Sequence, residues 1–242
     1  MKVVVINGSP HMDKGNTALI LKPFLEGVRE AGTEVKIYYT KKLKINSCQG
    51  EYHCWYKTPG KCFQDDDMQK VLPEVSRANI LIFATPVYVD GVTGPLKNFL
   101  DRLIPIGHPA IELREGHCRH PRREKVQDGK LVLVSNCGFW ELDNFDPMIM
   151  HMQAISKNLG YEFAGALLRP HGAALRGMME QGVAVDDIFE AAKKAGRQLV
   201  QNGKMSKDTL KVISRELLAQ QMYVDIANQR IHEALAKLGI EE

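Results

Sequence analysis

The chain has 242 residues, 44% of them hydrophobic and 25% charged, enough apolar material for one generous domain or two small ones. Its net charge of +3 suits an anionic small ligand and falls short of a nucleic-acid-binding surface. No run reaches the roughly 20 apolar residues of a membrane span. Met1 leads directly into KVVVING, which is read as leaving no room for a leader. The five cysteines, an odd number, point to a reducing compartment with free or metal-bound thiols. A cytoplasmic protein with no nucleic-acid and no membrane partner is expected.

KVVVIN (Lys2 to Asn7) is continuously apolar, as expected of a strand covered by helices on both faces of a parallel sheet. GSPHMDKGNT (Gly8 to Thr17) follows, ending in a capping pair, Asn16 and Thr17. Ala18, Leu21, Leu25 and Val28 then form one helical stripe, which Pro23 is expected to kink or loosen. EVKIYY (Glu34 to Tyr39) reads as the second strand. SCQGEYHCWYKTPGKC (Ser47 to Cys62) next packs three cysteines into one loop. DDDMQKVLPEVSRA supplies a second helix, with Asp65, Asp66 and Asp67 at its positive end.

NILIFAT (Asn79 to Thr85) is the third strand, and ATPVYVDGVTGPLKNFLDR (Ala84 to Arg102) leads from it into a third helix. The stretch from Gly107 to Gly129 is an insertion rich in arginine and histidine, with Arg114, Arg119, His120, Arg122 and Arg123. Loops of that length inside a domain are usually functional or mobile. A site for the 2′-phosphate of NADPH, a contact with a partner subunit and a solvated positive surface all remain open for it. KLVLVSN (Lys130 to Asn136) gives the fourth strand and DPMIMHMQAISKNLG the fourth helix. YEFAGALL (Tyr161 to Leu168) gives the fifth strand, and DDIFEAAKKAGRQLVQNG, closed by Gly203, the fifth helix.

Strand and helix alternating in this way predict a doubly wound α/β sheet over residues 1–203. Residues 204–242 form a helical extension in which Leu210, Ile213 and Leu217, then Val224, Ala227, Ile231, Leu235 and Leu238, recur at helical spacing. Such stripes must be covered by the chain's own domain or by a second copy. A homodimer or homotetramer built through the extension is expected.

Ligands of an open parallel sheet bind beyond the carboxyl ends of its strands. The glycines, hydroxyls and helix start of Gly8 to Thr17 offer backbone N–H groups and a positive dipole to a phosphate, although a plain capped turn uses the same residues. The loop has neither the G-x-G-x-x-G nor the P-loop pattern, which argues against a dinucleotide Rossmann site or an NTPase.

Together GSPHMDKGNT, TPVYVDGVTGPLKNFLDR and SNCGFWE, following the first, third and fourth strands, resemble the flavodoxin-like NAD(P)H-dependent FMN reductases. That family includes the iron–sulfur flavoproteins and multimeric flavodoxins, and the resemblance extends to about residue 200. It implies a flavodoxin-like, doubly wound, five-stranded parallel sheet of order 2-1-3-4-5, with FMN as cofactor and NAD(P)H as co-substrate. Carried over, Ser9, His11, Asn16 and Thr17 bind the FMN phosphate, with Gly15 allowing close approach. Pro86, Val87, Tyr88 and Gly91 line the ring, and Cys137, Gly138 and Phe139 close over it. His11 stands where the family has arginine, with Lys14 as compensation. No catalytic acid or base is named, because the flavin carries the chemistry. The acceptor, a small molecule or a protein, is open. The rival readings are an electron carrier reduced by a ferredoxin-like partner and a thiol-based redox sensor.

Iron–sulfur members of the family carry C-x2-C-x2-C and a fourth cysteine in the connection after the second strand. Cys48, Cys54 and Cys62 take the first, third and fourth places, and Glu51 stands at the second. A carboxylate is a harder ligand than a thiolate. A stable 4Fe–4S cluster is therefore not expected, and no metal site is assigned. Zinc with His53 as fourth ligand is awkward because Cys54 adjoins it.

Overall fold

Side chains along the central strands alternate between two buried sheet faces, and this sets the architecture of the computed structural model, which describes residues 1–240. Strands β1 (Lys2–Asn7), β2 (Glu34–Tyr39) and β3 (Ile80–Pro86) lie within a residue of the expected segments. A small antiparallel hairpin, β4 (Glu112–Arg114) and β5 (His117–Arg119), occupies the basic insertion; β6 (Lys130–Asn136) and β7 (Glu162–Arg169) complete the strands. The sheet is five-stranded and wholly parallel, in the order β2-β1-β3-β6-β7. Because the hairpin stands apart, this is the 2-1-3-4-5 order expected for the flavodoxin-like fold. The direction of winding reverses between β1 and β3.

The helices are α1 (Asn16–Glu30), the one-turn α2 (His53–Tyr56), α3 (Met68–Ser76), α4 (Gly94–Asp101), α5 (Asp146–Leu159), α6 (Gly172–Glu180), α7 (Asp186–Asn202), α8 (Lys207–Ser214) and α9 (Gln220–Lys237). On one sheet face Val3, Val5, Ile80, Ile82, Val132 and Val134 meet Phe24 and Val28 of α1 and Ile188 and Leu199 of α7. On the other, Val4, Ile6, Leu81, Phe83, Leu131 and Leu133 meet Val71 and Val75 of α3, Leu96 and Phe99 of α4, and Met148 and Met152 of α5. Neighbouring residues of one strand thus enter opposite cores, which is why β1, β3 and β6 read as unbroken apolar runs.

α1 runs through Pro23 without a break. The packing of its next turn accounts for this. A Cβ on Gly27 would lie 1.9 Å from the Lys193 carbonyl oxygen of α7, and one on Gly196 of α7 would lie 2.1 Å from that of Phe24. The two helices are in backbone contact, and that contact holds the turn after the proline in place.

The extension divides. Leu210 and Ile213 of α8, with Met205 and Leu217, join the core that α1 and α7 cover, so the first stripe is buried by its own domain. α9 has no buried residue, and Met222, Val224, Ile226 and Ile231 are exposed. The last two residues assigned to the extension, 241 and 242, lie outside the described residues.

Candidate functional site

The carboxyl ends of β1, β3 and β6 are adjacent, and each opens into one of the three loops singled out in the sequence. After β1, Asn7 turns its side chain back so that Oδ1 accepts from Ser9 N at 2.9 Å, while its buried Nδ2 has no partner. Gly8 N donates to Ala84 O of β3 at 2.7 Å, and a Cβ there would press on Leu96 Cβ at 2.8 Å. The loop returns over Ser9 closely enough that a Cβ on Gly15 would lie 2.7 Å from Ser9 Oγ. Gly15, extended at φ −77 and ψ 165, is the N-cap of α1, and no side chain caps the helix or puts an acid in its first turn. Its first N–H groups are thus left for an external acceptor.

Within this loop the expected residues separate. His11 is exposed, and Ser9 is buried beneath the chain. Thr17 is also buried, and its hydroxyl bonds Asn136 Oδ1 of β6 at 2.5 Å. Thr17 therefore offers an anion its backbone N–H at the helix start, while its hydroxyl ties the loop to the neighbouring strand. Asn16 stays at the mouth, its Oδ1 accepting from Arg176 Nε of α6 at 2.7 Å.

The loop after β3 holds the ring-lining candidates. Val87 N donates to Asn136 O at 2.8 Å, and Tyr88 and Gly91 exchange backbone bonds of 2.9 and 3.1 Å. Between them Val89 (φ 46) and Asp90 (φ 59) both adopt left-handed backbone, the geometry of a type I′ turn. That conformation is costly for a β-branched residue, and Val89 is 99% exposed. Side-chain packing does not hold it there, so the strain is stored in a turn that presents its peptide groups to one side. Thr93, the N-cap of α4, donates from Oγ1 to Gly8 O at 2.8 Å and so links this loop to the first.

The third loop is fixed from beneath. Cys137 is buried, and its Sγ donates to Phe139 O at 3.2 Å; burial pushes the thiol up to about 11, which makes it an inert packing residue. His171 N donates to Phe139 O at 2.7 Å and Gly172 N to Cys137 O at 3.0 Å. Gly138 O accepts from the hydroxyl of Tyr223 on α9. Trp140 Nε1 donates to Leu218 O at 3.0 Å, and its ring lies parallel to that of His171. Phe139 and Tyr88 are exposed, so the rim between these loops is open.

The structure thus brings together at one sheet edge all three groups of residues carried over from the resemblance. It adds four that sequence reasoning missed: Asn136, His171, Arg176 and Tyr223. Arg176 lies 160 positions from Asn16, and no local pattern signals such a pairing.

Whether these residues fit an FMN can be tested on the loops themselves. An uncapped helix start, a glycine that only a missing Cβ lets close, and an orphaned buried Asn7 amide at the base make a cradle suited to a phosphate monoester. The residues fit.

The cysteine loop gives a different result. Cys48, Glu51, Cys54 and Cys62 do face one small cavity, together with Arg102. Arg102 is buried, forks onto Asp66 at 2.6 and 3.1 Å, and donates from Nη2 to Cys62 Sγ at 3.2 Å. Burial, with Cys62, Glu51 and Cys48 nearby, pushes the Cys54 thiol up. Among the described residues no group of three or more His, Cys, Asp or Glu side chains is placed to hold a metal ion. The loop thus offers three thiols and a carboxylate, where a four-thiolate cluster takes four cysteines.

In the basic insertion, Arg122 donates to Gln127 O at 2.8 Å and pairs with Asp128. Arg123 donates to Pro105 O at 3.0 Å, and Arg114 to His120 O at 3.4 Å. Arg122 and Arg114 thus brace the insertion internally, and Arg123 ties it to the body of the protein.

Comparison with known proteins agrees with this fold. The sequence pattern of the family described as NADPH-dependent FMN reductase matches residues 1–140. An iron–sulfur flavoprotein of Archaeoglobus fulgidus is 39% identical over 102 residues, which are 42% of this chain and 48% of that protein. The chain spans about half the length of the curated relatives it matches. Among solved structures, an NAD(P)H:quinone oxidoreductase from Methanothermobacter marburgensis superposes with a TM-score of 0.59 at 17% identity, over 82% of this chain and 96% of its own. An FMN-dependent NADH-azoreductase from Bacillus anthracis, solved in complex with FMN, superposes with a TM-score of 0.58 at 16% identity, over 83% of this chain and 99% of its own. At these identities the two structures share the fold.

Proposed function

Since the chain belongs to the NADPH-dependent FMN reductase family, we propose that it is a flavin oxidoreductase holding FMN at the β1–β3 edge, taking hydride from NAD(P)H and passing electrons to a small-molecule acceptor. The convergence of three loops on an uncapped helix start carries this reading. Bound there, FMN supplies a hydride acceptor at its N5 and a site from which electrons leave singly or in pairs. The chain's own part is binding and exclusion. The start of α1, with Asn16, receives the phosphate, and the Tyr88–Gly91 turn gives the ring edge fixed peptide groups. The Cys137–Phe139 loop, clamped by His171, flanks it from the other side. No side chain moves a proton.

The rim between Tyr88 and Phe139 is open and would leave room for a nicotinamide and, after it, a planar acceptor, and a homo-oligomer would narrow it. The rival is an electron carrier reduced by a protein partner. The names of the iron–sulfur relatives favour it, whereas Glu51 in place of a fourth cysteine beside Cys48, Cys54 and Cys62 favours a cluster-free loop.

The visible spectrum of the purified protein tests both. We expect two flavin bands, bleached by NADPH under anaerobic conditions, with FMN released on denaturation and iron well below one atom per chain. A broad shoulder between the bands with stoichiometric iron and sulfide would favour the carrier. Flavin bands untouched by either nicotinamide would remove the reductase reading.

A further inference from the structure

The start of α1 concentrates positive character with no acid in its first turn to balance it. α1 points its positive end into the loop, and the one carboxylate in the loop, Asp13, is exposed and turned toward the Tyr39 hydroxyl, which donates to it at 2.7 Å. Against this end lies a further cation, the guanidinium of Arg176. Its Nε donates to Asn16 Oδ1 at 2.7 Å and its Nη2 to Lys14 O at 2.9 Å. Both acceptors are neutral, so the charge of Arg176 is not cancelled by either bond. A guanidinium beside a helix N-terminus is unfavourable on its own and becomes favourable when an anion joins them.

We propose that Arg176 is a recognition residue for the phosphate of FMN, supplying its fixed charge and setting the orientation of Asn16. The inference rests on the flavin reading above and goes beyond it. By taking the amide oxygen of Asn16, Arg176 leaves Nδ2, the donor half, as the part available to an anion. A guanidinium stays charged at every pH the protein meets, and its planar fork holds the loop with one edge. Arg176 also stands on a rigid base. A Cβ on Gly172, at the start of α6, would lie 3.1 Å from Asn136 Nδ2, and Asn136 in turn bonds Thr17 of the loop. The start of α6, β6 and the phosphate loop therefore pack as one unit, and Arg176 extends from it. His11, the loop residue otherwise placed to meet a phosphate, is exposed.

The phosphate is the whole difference between FMN and riboflavin, so the test is their ratio. Dissociation constants for FMN and riboflavin are measured by calorimetric titration into the full-length chain freed of flavin, for the wild type, Arg176→Gln and Arg176→Lys. We expect the wild type to prefer FMN. In Arg176→Gln the FMN constant should rise about 10- to 100-fold, the loss of a charge-assisted pair, while the riboflavin constant stays within about twofold. Arg176→Lys, which keeps the charge and loses the fork, should fall between, and the salt dependence of FMN binding should be shallower in Arg176→Gln. If that variant does not fold, as judged by circular dichroism, Arg176→Lys carries the same comparison. An equal rise for both flavins would make Arg176 only a brace for the loop and overturn the proposal, as would an unchanged FMN constant. A wild type that does not distinguish FMN from riboflavin would instead remove the phosphate assignment of the loop, and this inference with it.

Discussion

The imidazole of His171 accepts at Nε2 from Leu217 N at 3.2 Å and faces Arg169 Nη2 at 3.3 Å, so its proton sits on Nδ1, toward Trp140 O. A second proton would have to enter between an amide N–H and a guanidinium in a fully buried place. Burial first and the charge of Arg169 second hold its pKa down to about 4. The sign follows from linkage. A histidine depressed in the folded state binds protons more readily unfolded, so stability is full above the ordinary value of 6.5 and is lost as pH falls toward 4. About 2 kcal/mol should be lost between pH 7 and pH 5 through this residue. That window lies above the carboxylates, including Glu74, which Lys2 holds down to about 2. Urea unfolding of holoprotein at both pH values, compared with His171→Gln, checks it; an equal drop in the variant would assign the effect elsewhere, with half-buried His151, also held low by desolvation, as the next group to test. At this scale the sequence offered a lone His-Gly pair and no hint that its ring joins Trp140 to the extension at Leu217.

α1 and α7 belong to opposite ends of the chain and touch through Gly27 and Gly196, where a side chain would meet backbone oxygens at 1.9 and 2.1 Å. Backbone cannot move aside as a flexible side chain can, so Gly196→Ala should force the helices apart despite its better helix propensity. We expect a loss of about 3 kcal/mol in urea unfolding, against a gain near 1 kcal/mol for the same change at a solvent-facing helical glycine. A neutral or stabilising result would mean that the two helices are not in backbone contact. The amphipathic stripes of both helices were legible from spacing alone. Their mutual contact was not, because periodicity identifies a buried face without naming what buries it. The same limit explains α8. Its stripe of Leu210 and Ile213 matched the expectation of an apolar face and proved to be covered by its own domain.

For the whole molecule, the fate of the extension turns on Arg169. This fully buried guanidinium is satisfied by Ile213 O at 2.7 Å and Arg215 O at 2.6 Å, both beyond Gly203. A chain ending at residue 203 would strand those donors in the core and uncover the α7 side of the sheet, costing several kcal/mol. A chain ending at residue 219 keeps them. We propose α9, whose apolar side chains remain exposed, as the part of the extension that joins subunits. Light scattering is expected to find a dimer or tetramer for the full chain, a folded monomer for 1–219 and an aggregating or unfolded product for 1–203. A monomeric full chain, or an assembly unchanged in 1–219, would exclude α9 from this role.

Strand positions and the three loops that follow β1, β3 and β6 were legible in the sequence, because each is a local matter, whereas the strand order followed from the family resemblance those loops carry. An apolar run covered on both faces reads as such within six or seven residues, and glycine, proline and capping residues mark where the chain turns. Only the tertiary structure decided which atoms of those loops are free. Thr17 looked like a phosphate ligand, but its hydroxyl is bonded to Asn136, 119 positions away, and Asn16 takes its orientation from Arg176, 160 positions away. The cysteine spacing showed three thiols and a carboxylate in one loop, and folding placed the Arg102 guanidinium on Cys62. Hydrogen bonds of this kind depend on side chains brought together by the sheet, and nothing in a linear pattern encodes which distant residue will satisfy a buried polar group.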